Sequence, residues 1–364
     1  MSVSTLGPVR RTRPRAEGRA PVTSTYNELL ARVRADGLLE RKRGFYIGMF
    51  SALVLALAGL ATGFVLLGDS WFQLLIAAAL GLILTQFAFL AHEASHRQVF
   101  ASGPANDRAG RLTATWLVGM SYQWWMTKHT RHHANPNTMG KDPDIAFDTV
   151  SFTEEDAAKQ RGLLAVITRR QGYLFFPLLL LEGVNLHVTS IRSLFARGPV
   201  ERRSAELTAI VLRLSVYVAI VFLMLPVGMA FAFLGVQLAV FGVYMGASFA
   251  PNHKGMPLIP EGKRVDFLSK QVLTSRNIRG GWSMNLLMGG LNHQVEHHLF
   301  PSMARPHLGR ARKLVREHCA AHGIPYTETT LMRSYAIVIR YLNRVGLAAR
   351  DPFDCPAVQR YRRA

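Results

Sequence analysis

Apolar residues gather along this chain into four long runs, and polar residues crowd into the intervals between them. Tyr46 to Leu67 forms one run and Trp71 to Leu90 the next, parted only by Gly68-Asp69-Ser70. A second pair extends from about Leu207 to Leu225 and from about Gly228 to Ala250, divided near Pro226. Each is close to the roughly 20 apolar residues that a helix needs to cross a bilayer. Runs this long and this free of charge predict membrane spans rather than the core of a soluble domain. Two shorter stretches read differently. Tyr173 to Leu186 carries Glu182 and Asn185, with His187 just beyond, and polar groups at membrane depth are costly. Arg111 to Trp125 ends in Tyr-Gln-Trp-Trp, and Trp and Tyr favour the membrane interface. Both are expected to be interfacial or re-entrant helices. The expected fold is all-α: an integral membrane protein with about four transmembrane helices, interfacial helices and a histidine-rich cytoplasmic cap.

Charge sets the orientation. Among 364 residues, 49% are hydrophobic, yet the formal net charge is +20. Basic residues load the first stretch (Arg10, Arg11, Arg13, Arg15, Arg19), the segment from Arg97 to Arg170 and the tail after Arg305. The connectors at Gly68 to Ser70 and around Pro226 carry none. This asymmetry predicts a multi-pass protein of the cell membrane with both termini and the intervening segments in the cytoplasm. Attraction to anionic lipid accounts for the remaining charge better than nucleic acid does. No short apolar region with a cleavage site follows the first arginines, so residues 1–44 are expected to be a disordered basic arm, not a signal peptide. Residues 45–304 would then form the membrane domain and 305–364 a cytoplasmic tail. Cys319 and Cys355 both fall in that tail, which argues against a disulfide framework.

Histidine supplies the chemistry. His92-Glu-Ala-Ser-His96 closes the second run, His129-Thr-Arg-His132-His133 follows, and His293-Gln294-Val-Glu296-His297-His298 lies beyond the last run. With four spans all three groups share one face, whereas six crossings would put the first two on opposite faces. Residues three and four apart project from one side of a helix. His92 pairs with His96, and His129 with His132 and His133. In the third group either His293 or Gln294 has a suitable offset, and spacing alone does not choose. His253, in Pro-Asn-His-Lys-Gly directly after the last run, is a further candidate. His187 reads as an interfacial histidine bonded to a carbonyl, His318 and His322 as a solvated face, and His307 as structural. One metal needs three or four protein ligands, so this abundance points to two metals, and therefore to an oxygen-activating enzyme. Imidazole suits iron, zinc and copper; the ligand count and the apolar, acyl-length interior favour iron. Glu93, Asp142, Asp144 and Glu296 are candidates to orient the rings and offset the charge.

His92-Glu93-Ala-Ser-His96 also fits the H-E-x-x-H pattern of zinc proteases, with Glu93 as base. An intramembrane protease would leave the other two groups without a use. A metal transporter would place its histidines inside the spans, where this chain has almost none.

The three groups resemble the histidine boxes HxxxH, HxxHH and (H/Q)xxHH of membrane-bound fatty acid desaturases, at His92/His96, His129/His132/His133 and Gln294/His297/His298. Gly289-Gly-Leu-Asn-His-Gln-Val-Glu-His-His-Leu-Phe-Pro301 is similar to the third box of the front-end and linoleoyl-CoA-type subgroup. The resemblance covers roughly Leu90 to Pro301. It implies a di-iron centre, with His253 as the further ligand that the family has after its last span. It also implies dioxygen as co-substrate and a fatty acyl substrate carried by CoA, a carrier protein or a lipid, into which a cis double bond is introduced. The cytochrome b5 motif HPGG of many eukaryotic relatives is absent, so a separate donor, a ferredoxin with its reductase, is expected. A related hydroxylase or ketolase acting on alkane, sterol or carotenoid is the alternative the same chemistry allows. Trp124, Trp125 and Trp282 would serve as interface anchors or line the mouth of an acyl tunnel.

Overall fold

The four apolar runs become the four longest helices among the described residues. The computed structural model describes residues 22–348. Helix α1 spans Val22–Ala35, and α2 (Arg43–Leu67) and α3 (Gln73–Ser95) form a first hairpin. Helix α4 (Gly103–Arg111) passes into a π-helical turn, Leu112–Val118, before α5 (Tyr122–Ala134). Two short helices, α6 (Glu154–Lys159) and α7 (Gly162–Thr168), precede α8 (Phe175–Leu194). The second hairpin is α9 (Arg203–Met224) and α10 (Val227–His253). Beyond it come α11 (Phe267–Leu273), α12 (Trp282–Leu287), α13 (Gln294–Leu299), α14 (Arg305–Ala321) and α15 (Leu331–Ala348). A parallel pair, β1 (Asn277–Ile278) with β2 (Glu328–Thr329), is the one sheet among the described residues.

Among the described residues, α2, α3, α9 and α10 are long and apolar enough to cross a membrane. Helix α3 runs five residues past the apolar stretch read from sequence, as far as Ser95, and so carries His92 on its last turns. At about 1.5 Å per residue its 23 residues reach about 35 Å, more than the roughly 30 Å of bilayer hydrocarbon. Helix α10 likewise continues through Pro251 to His253. The buried Gln73 amide closes the first hairpin by donating to the carbonyls of Phe64 (2.7 Å) and Gly68 (2.9 Å) at the end of α2. Those end carbonyls have no partner within their own helix.

Helix α10 lies between α3 and α8. Its contact with α8 depends on two glycines: a Cβ on Gly183 would fall 2.2 Å from the Leu238 carbonyl, and one on Gly242 would fall 2.4 Å from the Gly183 nitrogen. Small residues let helices in lipid approach backbone to backbone. Helix α8, with its internal polar residues, is not among the four span candidates.

A second core sits apart from the spans. Leu29, Val33 and Leu38 pack with Val272, Val295, Leu299, Leu308 and Val315. This corrects the expectation of an unstructured arm through residue 44. Composition made the segment look solvated, but from Val22 it is an amphipathic helix whose apolar side is fully covered. Arg10 to Arg19 lie outside the described residues. Residues 305–348 are packed as well: α14 joins this core, while Val338 and Leu342 of α15 pack against Phe175 and Ala250. Cys319 is buried and unpaired, and Cys355 lies outside the described residues.

Candidate metal centre

Four helices end at the same place. His96 caps the C-terminus of α3, and His132 and His133 occupy the last turn of α5. His253 is the final residue of α10, and His297 and His298 lie in the last turn of α13. Helix C-termini carry partial negative charge and unsatisfied carbonyls, so their convergence favours bound cations. The end of α10 is further secured by the buried Arg276. Its Nε donates to the Pro251 carbonyl and its Nη2 to the Lys254 carbonyl, both at 2.9 Å.

The histidines divide into two adjoining groups. His92, His96, His129, His133 and His297 bring their ligand-capable atoms within 4.8 Å of one another, and His132, His253 and His298 form a second set of the same kind. The rings of His133 and His298, one from each group, stack with centroids 4.1 Å apart. In the five-histidine group the Nε2 atoms meet directly. His129 lies 3.0 Å from His92 and 2.8 Å from His96, and His297 lies 3.1 Å from His133. A ring nitrogen has either one lone pair or one proton, so the buried His129 Nε2 cannot satisfy both neighbours. In the other group His298 Nε2 is buried with no hydrogen-bond partner. Two metal ions would meet both needs, and imidazole donors suit iron, zinc or copper.

The outer ring nitrogens of the three-histidine group are engaged. His132 Nδ1 donates to Asp142 at 3.0 Å, His253 Nδ1 to the Thr274 carbonyl at 2.9 Å, and His298 Nδ1 to Gln271 Oε1 at 2.9 Å. Asp142 is itself held by the backbone amides of Asn137 (2.7 Å) and Asp144 (2.9 Å). Burial alone would lower the pKa of His132, but Asp144 and Asp142 raise it. Asp144 is held well below the ordinary carboxylate range: burial opposes this, and Lys128 at 3.0 Å and His132 outweigh it. His96, by contrast, is pushed down to about 3 by burial and by His132, so it stays neutral with a lone pair to give.

Helical phase sets the two candidates of the third group on different sides. The chain enters α13 from a 3-10 turn at Leu291–His293, so the α-helical phase starts at Gln294. The Gln294 amide nitrogen lies 2.9 Å from His253 Nε2, and its oxygen accepts from Asn252 at 3.1 Å. His293 faces elsewhere and belongs to neither group. Burial and Arg312 push it down to about 4.

The family model for fatty acid desaturases matches residues 69–330. The chain belongs to the fatty acid desaturase family. It is similar to Delta(8)-fatty-acid desaturase 2 of Arabidopsis thaliana, 26% identical over 345 residues that cover 91% of this chain and 76% of that protein. The Delta(6)-fatty-acid desaturase fat-3 of Caenorhabditis elegans is 27% identical over 339 residues, covering 89% of this chain and 75% of its own length. The Delta(5) fatty acid desaturase fat-4 of the same organism is 26% identical over 348 residues, covering 91% and 76%. These similarities agree with the front-end resemblance of the third box.

Of the four carboxylates expected beside the rings, only Asp142 and Asp144 approach one. Glu93 points away from the metal groups. Its carboxylate takes a bidentate ion pair from Arg305 (2.6 and 2.5 Å), both side chains being buried. One residue along a helix turns the side chain by about 100°, so the neighbour of a ligand faces elsewhere. Thus bound, Glu93 is not free to act as the base of a zinc protease. Glu296 instead accepts from Asn277 (2.7 Å) and Tyr326 (2.6 Å), and burial pushes it up to about 7. Sequence reasoning missed Gln271, Thr274, Asn252 and Arg276, which support the site as single polar residues in no recognisable pattern.

The remaining histidines sort as follows. His187 bonds to the carbonyls of Gly183 (2.7 Å) and Val118 (3.3 Å), as expected of a histidine away from metal. His307 is buried outside both groups. His318, expected on a solvated face, is buried instead, because α1 covers that side of α14. Among the tryptophans, Trp125 stacks on His129 with centroids 4.6 Å apart, Trp124 is partly buried and Trp282 is 79% exposed.

Proposed function

We propose that this chain desaturates a fatty acyl chain, removing one hydrogen from each of two adjacent methylenes to leave a cis double bond. Two electrons and two protons accompany those hydrogens in reducing dioxygen to two waters. The observation that carries the reading is the meeting of all three histidine boxes and His253 in two adjoining groups at the ends of four helices. Two iron ions, one held by His92, His96, His129, His133 and His297 and the other by His132, His253 and His298 with the Gln294 amide turned to present its oxygen, would supply the activation of dioxygen. The protein's own work is to hold and position. Trp125 and Phe249 (ring centroids 5.8 Å apart) form an apolar wall beside His92 and His129, against which a methylene chain can lie. Asp142, Gln271 and the Thr274 carbonyl fix the proton on the outer nitrogen of their rings, leaving Nε2 as donor. Correct placement of one carbon pair is what selects the bond to be oxidised.

The basic segments, and connectors that carry no basic residue, support cytoplasmic termini and a cytoplasmic metal site in the cell membrane. The same basic surface suits an acidic electron carrier such as a ferredoxin, supplied by its reductase. The test is expression in a host with a compatible ferredoxin, followed by mass spectrometric location of new double bonds in the lipids. New double bonds that vanish in His297→Ala support the reading. Hydroxylated or keto products without any new double bond would replace it with a hydroxylase or ketolase.

A further inference from the structure

Outside the boxes, one more group of metal-binding side chains joins α1, the first described helix, to α14. His318 lies in the last turn of α14, and His322 caps the same helix. Their rings are 4.2 Å apart. Glu28, on α1, faces them, and the ligand-capable atoms of all three lie within 4.8 Å of one another. We propose that Glu28, His318 and His322 form a separate site for a divalent transition metal of the zinc type, which ties α1 to α14.

Each donor is prepared for this. His322 Nδ1 donates to the His318 carbonyl at 2.9 Å, which fixes the proton there and leaves the Nε2 lone pair free. His318 is 2% exposed, and its Nε2 is buried without a hydrogen-bond partner, a costly arrangement unless something binds it. The Glu28 carboxylate supplies the negative charge. Arg32, one turn along α1, lies near enough to act on His318 and pairs with Glu317 at 4.0 Å. The site also sits at the C-terminus of a 17-residue helix, whose dipole favours a cation. Two imidazoles and a carboxylate, with a fourth position for water, form a donor set that zinc accepts, whereas magnesium and calcium prefer oxygen throughout. Cys319, buried beside His318, is not among the donor atoms that converge here. Beneath the site, Leu29 and Val33 pack on Ala311, Val315 and Cys319. A bound ion would fasten the edge of that contact.

The iron-loaded full-length protein in detergent is titrated with zinc, freed of excess and analysed for zinc and iron per chain. Wild type should retain one zinc more than His322→Ala or Glu28→Gln, with iron equal in all three, and zinc should bind the variants about tenfold more weakly or worse. Zinc should also raise the thermal midpoint of wild type and leave those of the variants in place. Equal zinc retention and equal midpoint shifts in the three proteins would overturn the proposal. Iron is counted in the same samples, so a chain that lacks iron but still shows the zinc difference refutes the desaturase centre alone.

Discussion

The two histidine groups are held in different ways. In the three-histidine group every ring has its outer nitrogen tied down, by Asp142, by the Thr274 carbonyl and by Gln271. In the five-histidine group the outer Nδ1 atoms of His92 and His133 are buried without a partner. Its rings are placed by the packing of α3, α5 and α13 and by one another, with His96 and His133 each in edge contact with His129 and His297 and with one another. The difference follows from donor number. Five imidazoles can tolerate some play in each ring and still surround an ion. Three cannot, and there a hydrogen bond that fixes tautomer and rotation keeps the site selective.

The largest effect is expected where the five-histidine group loses a shared member. His129 Nε2 meets two neighbours at once, so His129→Ala should abolish turnover and halve the iron bound per chain. Metal analysis of the purified variant beside wild type reads this directly. Full iron retention in His129→Ala would mean that the group does not act as one metal site. A second large effect concerns what stands behind that group. Glu93→Ala leaves the Arg305 guanidinium buried without its partner, and breaking a pair this deeply buried costs about 3–5 kcal/mol. The thermal midpoint in detergent should fall steeply, with activity lost through unfolding and not through chemistry. Glu93→Gln should recover part of the midpoint and, with it, activity. A fully stable Glu93→Ala that is inactive would restore a chemical role for this carboxylate.

Much of this arrangement was legible in the sequence, for reasons that differ by residue. The four spans were readable because hydrophobic run length is a local property. His92, His96, His129, His132 and His133 were readable because a helix turns that spacing into a common face. His293 and Gln294 could not be separated, since the answer depends on where the α-helix begins. A 3-10 turn ending at His293 sets that phase, and composition does not announce it. Gln271, Thr274 and Arg276 were invisible for another reason. Each acts through hydrogen bonds across the fold, most of them to a backbone carbonyl. Helix α1 misled because it was read together with the arginine-rich stretch before it, while Leu29 and Val33 do the packing.

The supporting bonds of the three-histidine group give an intermediate effect. Gln271→Ala frees the His298 ring and also removes the amide that donates to the His133 carbonyl at 3.0 Å. Loss of such an outer partner typically weakens metal binding by about 10–100-fold. Chelator titration of the iron-loaded protein should therefore strip one iron earlier than in wild type and leave the other. Simultaneous loss of both would mean that the two groups are not independently braced.

The smallest effect is also the sharpest contrast. His293→Ala and Gln294→Ala change adjacent residues, yet only Gln294 touches His253. Gln294→Ala removes a donor from the group that has fewest to spare and leaves the Asn252 amide without its partner oxygen. It should lower iron retention at that group and reduce turnover. His293→Ala removes a neutral ring that contributes to neither group, so iron content and turnover should stay near wild type, with only a modest cost in stability from lost packing. Iron per chain in the two variants, measured side by side, separates them. A His293→Ala protein that lost iron while Gln294→Ala kept it would place the metal on the other side of α13, and the three-histidine group would then need a different fourth donor.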